Sequence, residues 1–121
     1  MGVWNMKRVY VAGPLTTSGS VAENIHNAIR AGNELLRAGY WPHVPHLNYY
    51  WEIMFPAPYE MWMTIDLAQV RISDALIRLP GDSRGADREV AEASLYGIPC
   101  YNSVREFLQI EMETGDAVHK A

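Results

Sequence analysis

The sequence lacks the features of secreted, membrane-spanning and duplex-binding proteins. Its single cysteine, Cys100, excludes an internal disulfide and any zinc site built from several cysteines. No apolar run approaches the roughly 18 to 20 residues of a membrane span, and the N-terminal residues lack the apolar core of a signal peptide. The 10 Lys and Arg are outnumbered by 14 Asp and Glu and are scattered, whereas duplex binding requires a basic patch. We therefore expect a cytoplasmic protein without a membrane or duplex partner.

The length of 121 residues suits one domain. We expect it to span residues 1–121, with a core over about 8–112 and a flexible tail over 113–121. Runs of β-branched and aromatic residues predict four strands, at Arg8–Ala12, Tyr40–Val44, Ala75–Leu79 and Ile98–Tyr101. Helical spacing predicts helices between Ser20 and Gly39 and at Tyr59–Ser73, Ala86–Tyr96 and Ser103–Met112. Between them, His46–Pro58 is expected to be a long loop with room for one helical turn. This alternation indicates a parallel sheet covered on both faces, with ligands beyond the carboxyl ends of its strands.

The turn after the third predicted strand combines serine, arginine and glycine. Ser83, Arg84 and Gly85 precede a helix, where backbone N–H groups and the helix dipole favour a phosphate or carboxylate. Arg84 and Arg88 are four residues apart, so they repel each other unless an acid or an anion lies between them. The alternative is an ordinary capped helix with a solvated, charged face.

Three acidic residues lie where they could reach a cleft at this edge of the sheet. Glu89 is in the early turns of the helix, Asp66 interrupts an apolar helix, and Asp74 directly precedes a strand. Enzymes that cleave glycosidic bonds use two or three carboxyl groups around one cleft. Tyr10 on the first strand could orient one of these groups by hydrogen bonding. The alternatives are a surface role for Glu89, a turn contact for Asp74 and a core position for Tyr10.

Two histidines, His43 and His46, stand close together in the sequence. They lie on a strand and a loop, without supporting cysteines and outside the helical spacing of zinc hydrolases. We therefore predict a polar contact from His46 to a ligand, and neither a metal nor an organic cofactor.

The order of these motifs resembles the nucleoside 2-deoxyribosyltransferase superfamily over residues 8 to 102. The motifs that carry the resemblance are Tyr10–Pro14, Asp66–Leu67, Ser73–Ala75, Ser83-x-Gly85-x-x-x-Glu89 and Gly97–Pro99. The superfamily includes base-exchanging deoxyribosyltransferases and nucleoside 5′-monophosphate N-glycosidases. The resemblance implies a flavodoxin-like or Rossmann-like, doubly wound parallel sheet of four to five strands with helices on both faces.

The resemblance also implies roles for the residues of the predicted cleft. Glu89 corresponds to the nucleophile that attacks the anomeric carbon, Asp66 to the group that handles the leaving base, and Tyr10 to the residue that positions the nucleophile. Ser83 and Gly85 correspond to phosphate-binding residues of the monophosphate-cleaving branch.

Two positions that differ between the branches of the superfamily bear on whether the substrate carries a 5′-phosphate. Base-exchanging members carry Asp at the position of Ser83, which favours a nucleotide over a free nucleoside. Monophosphate-cleaving members carry Arg just after the first-strand glycine, whereas Pro14 follows Gly13 here, and Arg84 is the candidate to replace that arginine.

Together the residues and the resemblance predict a hydrolase that releases the base from a nucleoside 5′-monophosphate. One alternative is a transferase that exchanges bases, and another is a non-catalytic protein that binds or sequesters a nucleotide. We also expect a homodimer or higher homo-oligomer, because a domain of this size has little surface for a complete pocket and the superfamily often closes its site with a neighbouring subunit.

Aromatic residues are crowded into one part of the chain. Eight of the thirteen Phe, Trp and Tyr residues lie between Tyr40 and Trp62. We predict that one or two of Tyr49, Tyr50, Trp51 and Phe55 stack on the base or cover it as a lid, since every base offers a π-face. The alternative is that this cluster serves packing or dimerisation.

Overall fold

The computed structural model describes residues 6–120, with side chains described up to residue 114. Four parallel strands form one sheet in the order β2-β1-β3-β4. The strands are β1 (Arg8–Ala12), β2 (Trp41–His43), β3 (Ala75–Arg78) and β4 (Cys100–Tyr101). The helices are α1 (Val21–Arg37), α2 (Asn48–Met54), α3 (Tyr59–Arg71), α4 (Arg84–Leu95) and α5 (Val104–Lys120), and a 3-10 turn at Pro45–Leu47 precedes α2. None of the helices in the described part of the chain is long and apolar enough to cross a membrane.

Helices cover both faces of the sheet because the strand side chains alternate between them. Val9 and Val11 on β1 belong to a core cluster that includes Leu35 of α1 and Phe107 of α5. The other face is formed by Tyr10 and Ala12 of β1 with Leu76 of β3, and it packs on α3 and α4 through Val70, Ala86 and Ala93. The predicted doubly wound, flavodoxin-like sheet is confirmed.

The chain order opens a crevice between β1 and β3. After β1 the chain passes through α1 to β2 at one edge, then crosses back through α3 on the opposite face to β3. The connections that follow the two central strands therefore leave in opposite directions. Such a switch point is where ligands bind in open α/β sheets.

The largest departure from the predicted elements lies between the second strand and α3. The predicted loop at His46–Pro58 contains the helix Asn48–Met54, because no Pro or Gly interrupts the chain between His46 and Pro56. Leu47, Tyr50, Trp51 and Met54 keep helical spacing, but they are exposed, and no residue of this helix belongs to the buried core.

The remaining corrections concern the ends of elements. β2, β3 and β4 are each shorter than predicted, and α4 begins two residues earlier, at Arg84. The last helix extends to Lys120, beyond the predicted end at Met112. Ala121 and the side chains of residues 115–120 lie outside the described part of the chain, so the flexible tail stays a prediction.

Candidate active site

A cleft of about 610 Å³ lies at the carboxyl ends of β1 and β3. Its volume falls in the range of small-molecule sites. The loop after β1, the 3-10 turn, α3 and the start of α4 form its walls. The predicted site residues that line it are Gly13, His46, Asp66, Ser83, Arg84, Gly85 and Glu89.

Glu89 and Tyr10 form a buried hydrogen bond beside this cleft. Glu89 lies on α4 with only 5% of its surface exposed, and Tyr10 on β1 is completely buried. The Tyr10 hydroxyl donates to Oε2 of Glu89. Burial raises the pKa of Tyr10 far above its ordinary value, and the charges of Glu89 and Asp66 add to this. Tyr10 therefore remains protonated and acts as a permanent donor to Glu89.

Three carboxyl groups line the cleft, and two of them, Glu89 and Asp66, titrate near neutral pH. Burial raises the pKa of Glu89 to about 8, although the Tyr10 hydrogen bond and the charge of Arg78 oppose the shift. Burial likewise raises the pKa of Asp66 to about 7, and its Oδ1 has no hydrogen-bond partner among the described residues. The charge of Asp66 contributes to the shift of Glu89, so the two groups titrate as a pair that holds one proton near neutrality.

The start of α4 provides the polar end of the cleft. Ser83 caps this helix, its Oγ accepting from the Ala86 N–H at 3.1 Å. Arg84 is exposed at the cleft and forms no ion pair within residues 6–114. Arg88 instead binds both carboxylate oxygens of Glu60, at 2.9 and 3.1 Å. The expected repulsion between the two arginines is thus relieved by Glu60, which leaves Arg84 available to an anion.

His46 holds the turn that follows β1. It is 4% exposed, and its Nε2 lies 3.1 Å from the carbonyl oxygens of both Gly13 and Pro14. Because carbonyls only accept, Nε2 carries a proton, and burial lowers the pKa of His46 so that the ring is neutral. His43 has a different role, since its ring stacks on Tyr10 with centroids 5.4 Å apart.

Comparison with known proteins assigns the chain at the level of family and fold. A family model described as a domain of unknown function, DUF4406, matches residues 7–101. The chain belongs to the DUF4406 family. No curated protein matches the sequence.

The fold of this DUF4406 chain is similar to that of a solved enzyme structure. The 2-deoxyribosyltransferase of the psychrotolerant bacterium Bacillus psychrosaccharolyticus superposes with a TM-score of 0.61 at 21% identity, covering 77% of this chain and 69% of that chain. In fold, the predicted resemblance to the nucleoside 2-deoxyribosyltransferase superfamily is confirmed.

Three predicted binding residues of this DUF4406 chain do not line the cleft. Asp74 lies at the amino end of β3, the opposite edge of the sheet, where its Oδ2 accepts from the backbone N–H of Arg8 at 2.8 Å. Tyr50 and Trp51 lie on α2 with 56% and 63% of their surfaces exposed. The ring of Trp51 contacts Trp62 edge to face, with centroids 5.9 Å apart.

Tyr59 is an aromatic residue that lines the cleft but was not predicted from the sequence. Tyr59 begins α3, and Gly85 allows its hydroxyl a close approach, since a Cβ at Gly85 would lie 3.3 Å from it. Tyr59, Met63 and Asp66 follow one another at helical spacing and all face the cleft. That spacing, counted back from Asp66, is the signal that would have found Tyr59.

The cleft's geometry depends on Gly81, which joins the turns after β1 and β3. Gly81 has φ +115°, and a Cβ there would lie 2.8 Å from Cγ of Pro14 and 3.0 Å from Cβ of Ser18. We expect Gly81→Ala to lower the free energy of unfolding by roughly 2–4 kcal/mol, measured by chemical denaturation. The matched control is Gly39→Ala, which has φ +94° but open space around it and should lose only about 1 kcal/mol. Equal losses would show that the contact between the turns has no energetic weight.

Proposed function

We propose that this chain is a hydrolase that cleaves the N-glycosidic bond of a nucleoside 5′-monophosphate, releasing the base and the sugar phosphate. The observation that carries the proposal is the buried hydrogen bond from Tyr10 to Glu89, beside Asp66 in the cleft. Two carboxyl groups with different protonation are what cleavage of a glycosidic bond requires. The fold agrees with this proposal, because the similar solved structure is a 2-deoxyribosyltransferase.

In the first step Glu89 is the nucleophile. Tyr10 donates to Oε2, which leaves Oε1 to attack C1′ of the sugar as the bond from C1′ to the base nitrogen breaks. Asp66 gives its proton to the departing base, so the base leaves neutral and Asp66 becomes a carboxylate. The product of this step is a glycosyl ester on Glu89.

Water completes the reaction in the second step. Asp66, now ionised, takes a proton from a water molecule whose oxygen attacks C1′, and Glu89 leaves as a carboxylate. Two displacements at the same carbon give net retention of configuration. The hydrogen bond from Tyr10 stabilises the carboxylate of Glu89 both before the attack and after its departure.

The start of α4 supports a phosphate on the substrate. Arg84 offers a cation at the cleft, and the N-terminal N–H groups of α4 offer donors with the favourable end of the helix dipole. Ser83 caps the helix by accepting a hydrogen bond, which leaves its own hydroxyl proton free to donate. These groups lie in the same cleft as Glu89 and Asp66.

Base exchange is the second candidate function, favoured by the activity named for the similar solved structure. It shares the first step and differs only in the acceptor, which is a second base instead of water.

A panel of nucleosides and their 5′-monophosphates, with products separated by chromatography, tests the proposal. We expect free base and sugar phosphate from a monophosphate and much slower release from the matching nucleoside. A new nucleoside or nucleotide formed only when a second base is added would instead support the transferase. Ligand that raises the melting temperature and is recovered intact would contradict both enzymes and identify a binding protein.

The coupled carboxyl groups predict a bell-shaped pH dependence of kcat/KM. The reaction needs one proton on the pair, carried by Asp66 while Glu89 is ionised, so activity falls below about pH 7, where both groups are protonated, and above about pH 8, where the pair loses its proton. Because the pKa of Glu89 is the higher of the two, the reactive form is the less populated of the two singly protonated forms. The maximum is expected between these values. A profile that stays flat from pH 6 to about 9 would contradict the assignment of these two groups.

A further inference from the structure

Tyr59 lines the cleft, and the proposed reaction assigns it no role. It begins α3, and 55% of its surface is exposed, so its side chain can be reached from the cleft. Its hydroxyl lies next to Gly85, in the first turn of α4. Tyr59 is therefore at the end of the cleft where the phosphate of a nucleotide is expected.

The distance between the Tyr59 hydroxyl and the first turn of α4 suits a shared anion. A Cβ at Gly85 would lie 3.3 Å from the hydroxyl oxygen. A Cβ lies about 2.5 Å from the nitrogen of its own residue, so the hydroxyl is within about 6 Å of the Gly85 nitrogen. Two hydrogen bonds of about 2.8 Å, one from each group, reach the oxygens of one phosphate across this span.

The first turn of α4 has free backbone donors. Ser83 caps the helix by accepting from the N–H of Ala86, and the N–H of Asp87 bonds to the carbonyl oxygen of Ser83. The N–H groups of Arg84 and Gly85 come before these two and have no acceptor within the helix. An anion at this turn is thus bonded from the α4 side, and its remaining oxygens need donors from another wall.

Tyr59 is the polar side chain that faces this turn from α3. Within the described part of the chain, the only side-chain atoms of other segments within 4 Å of the Cβ position at Gly85 are the Tyr59 hydroxyl and the sulfur of Met63. The loop between β1 and α1, on another wall, contains no Lys or Arg. Tyr59 is therefore the donor best placed to complete the bonds to a phosphate.

Arg88 and Glu60 hold the ring of Tyr59 in place. The guanidinium carbon of Arg88 lies 5.9 Å from the ring centroid, within the range of a cation–π contact. Both carboxylate oxygens of Glu60 bind Arg88, which fixes the guanidinium beside the ring. A side chain that is already positioned loses less entropy when a ligand binds.

We propose that Tyr59 is a specificity-determining residue whose hydroxyl donates a hydrogen bond to the 5′-phosphate of the substrate. The proposal rests on the proposed function for the nature of this ligand, a sugar 5′-phosphate. The phosphate lies between the two helices, bonded by Tyr59 from α3 and by Arg84 and the Gly85 N–H from α4. A nucleoside lacks the phosphate oxygens, so this hydrogen bond favours the nucleotide over the nucleoside.

Tyr59→Phe tests the proposal because it removes the hydroxyl and keeps the ring. We expect the Kd of inorganic phosphate, measured by NMR from the shift of the Gly85 amide, to rise roughly 10- to 100-fold, the usual effect of losing one hydrogen bond to a charged group. The KM of a nucleoside 5′-monophosphate should rise by a similar factor at unchanged kcat, and kcat/KM of the matching nucleoside should stay the same.

Tyr96→Phe is the matched control for the loss of a tyrosine hydroxyl. Tyr96 is 54% exposed, lies outside the cleft and also has an arginine over its ring, since the guanidinium carbon of Arg71 is 5.5 Å from the centroid. We expect phosphate binding and the kinetic constants of this variant to equal those of the unaltered protein. Far-UV circular dichroism checks that each variant is folded.

Gly85→Ala tests the same contact from the other helix. The added Cβ would lie 3.3 Å from the Tyr59 hydroxyl and displace it, so phosphate binding should weaken. In Tyr59→Phe the hydroxyl is already absent, and adding Gly85→Ala should cause little further loss. Losses that simply add would contradict the shared contact.

Two results would overturn the proposal. One is a Tyr59→Phe variant that binds inorganic phosphate as tightly as the unaltered protein. The other is a Tyr59→Leu variant that loses affinity equally for a nucleoside and its monophosphate while Tyr59→Phe loses none, which would identify the ring as a stacking surface for the base. Weaker phosphate binding by Tyr59→Phe in a protein that releases no base from any nucleotide would support the role of Tyr59 and contradict the proposed function.

Discussion

Glu89→Gln is expected to lower kcat/KM for base release by at least about 10³-fold. The amide is close in shape to the carboxylate and still accepts the hydrogen bond from Tyr10, but it is a poor nucleophile and cannot form the glycosyl ester. Single-turnover assays with the unaltered protein and the variant measure the loss. Glu92→Gln is the matched control, because Glu92 lies on the same helix and pairs with Arg71 outside the cleft.

The same variant has an expected effect on stability that only burial explains. The pKa of Glu89 is about 8 in the folded protein, above its ordinary value of 4.5, so the folded state binds more protons than the unfolded state between these values. Stability from this group is complete below about pH 4.5 and is lost as the pH rises through about 8, at roughly 1.4 kcal/mol per pH unit. Glu89→Gln should therefore raise the melting temperature at pH 8 to 9 relative to the unaltered protein, and much less at pH 5.

Turnover and melting temperature of Glu89→Gln together distinguish the possible roles of Glu89. Lost activity with higher alkaline stability is expected for a buried carboxyl group that serves the reaction. Undiminished turnover would remove Glu89 from the mechanism. If Glu89→Gln is less stable than the unaltered protein at every pH, the carboxyl group of Glu89 stabilises the fold.

Asp66→Asn is the second substitution with a large expected effect, a loss of about 10²- to 10⁴-fold in base release. The amide side chain cannot protonate the leaving base, and the substitution removes one of the two groups that shape the pH dependence. The limb of the profile above about pH 8 should disappear, because the remaining group, Glu89, needs only to be ionised.

The choice of leaving group tests this role of Asp66 further. A sugar phosphate bearing a leaving group that departs without a proton, such as a nitrophenolate, should lose much less activity in Asp66→Asn than a nucleotide does. Asp74→Asn is the control, because Asp74 lies at the opposite edge of the sheet and should leave kcat/KM unchanged. Equal losses for both kinds of substrate would contradict proton transfer by Asp66.

The sequence predicted the central residues of the site because of the chain's topology. In a parallel sheet every strand delivers its following turn to the same edge, so Gly13 and Ser83 had to lie at one crevice. Glu89 follows Ser83 within two helical turns, which brings it to the same place. Asp74 precedes its strand, and this order along the chain sends it to the opposite edge.

The aromatic segment shows where local pattern fails. Composition alone could not tell which aromatic side chains face the cleft, because the apolar residues of α2 keep helical spacing but are exposed and outside the core. Its direction is set by contacts between Glu52, Ala57 and Trp62. Those contacts bring Tyr59 to the cleft and leave Tyr50 and Trp51 outside it.

By itself, the sequence determined the alternation of strands and helices, the caps at Ser20 and Ser83, and the turns that meet at the crevice. These depend on neighbouring residues along the chain. Only the tertiary structure decided that Tyr10 donates to Glu89 and that two carboxyl groups titrate near neutral pH. It also decided that no residue of α2 is buried in the core. The physical reason is that pKa shifts and exposure arise from burial among segments distant in sequence.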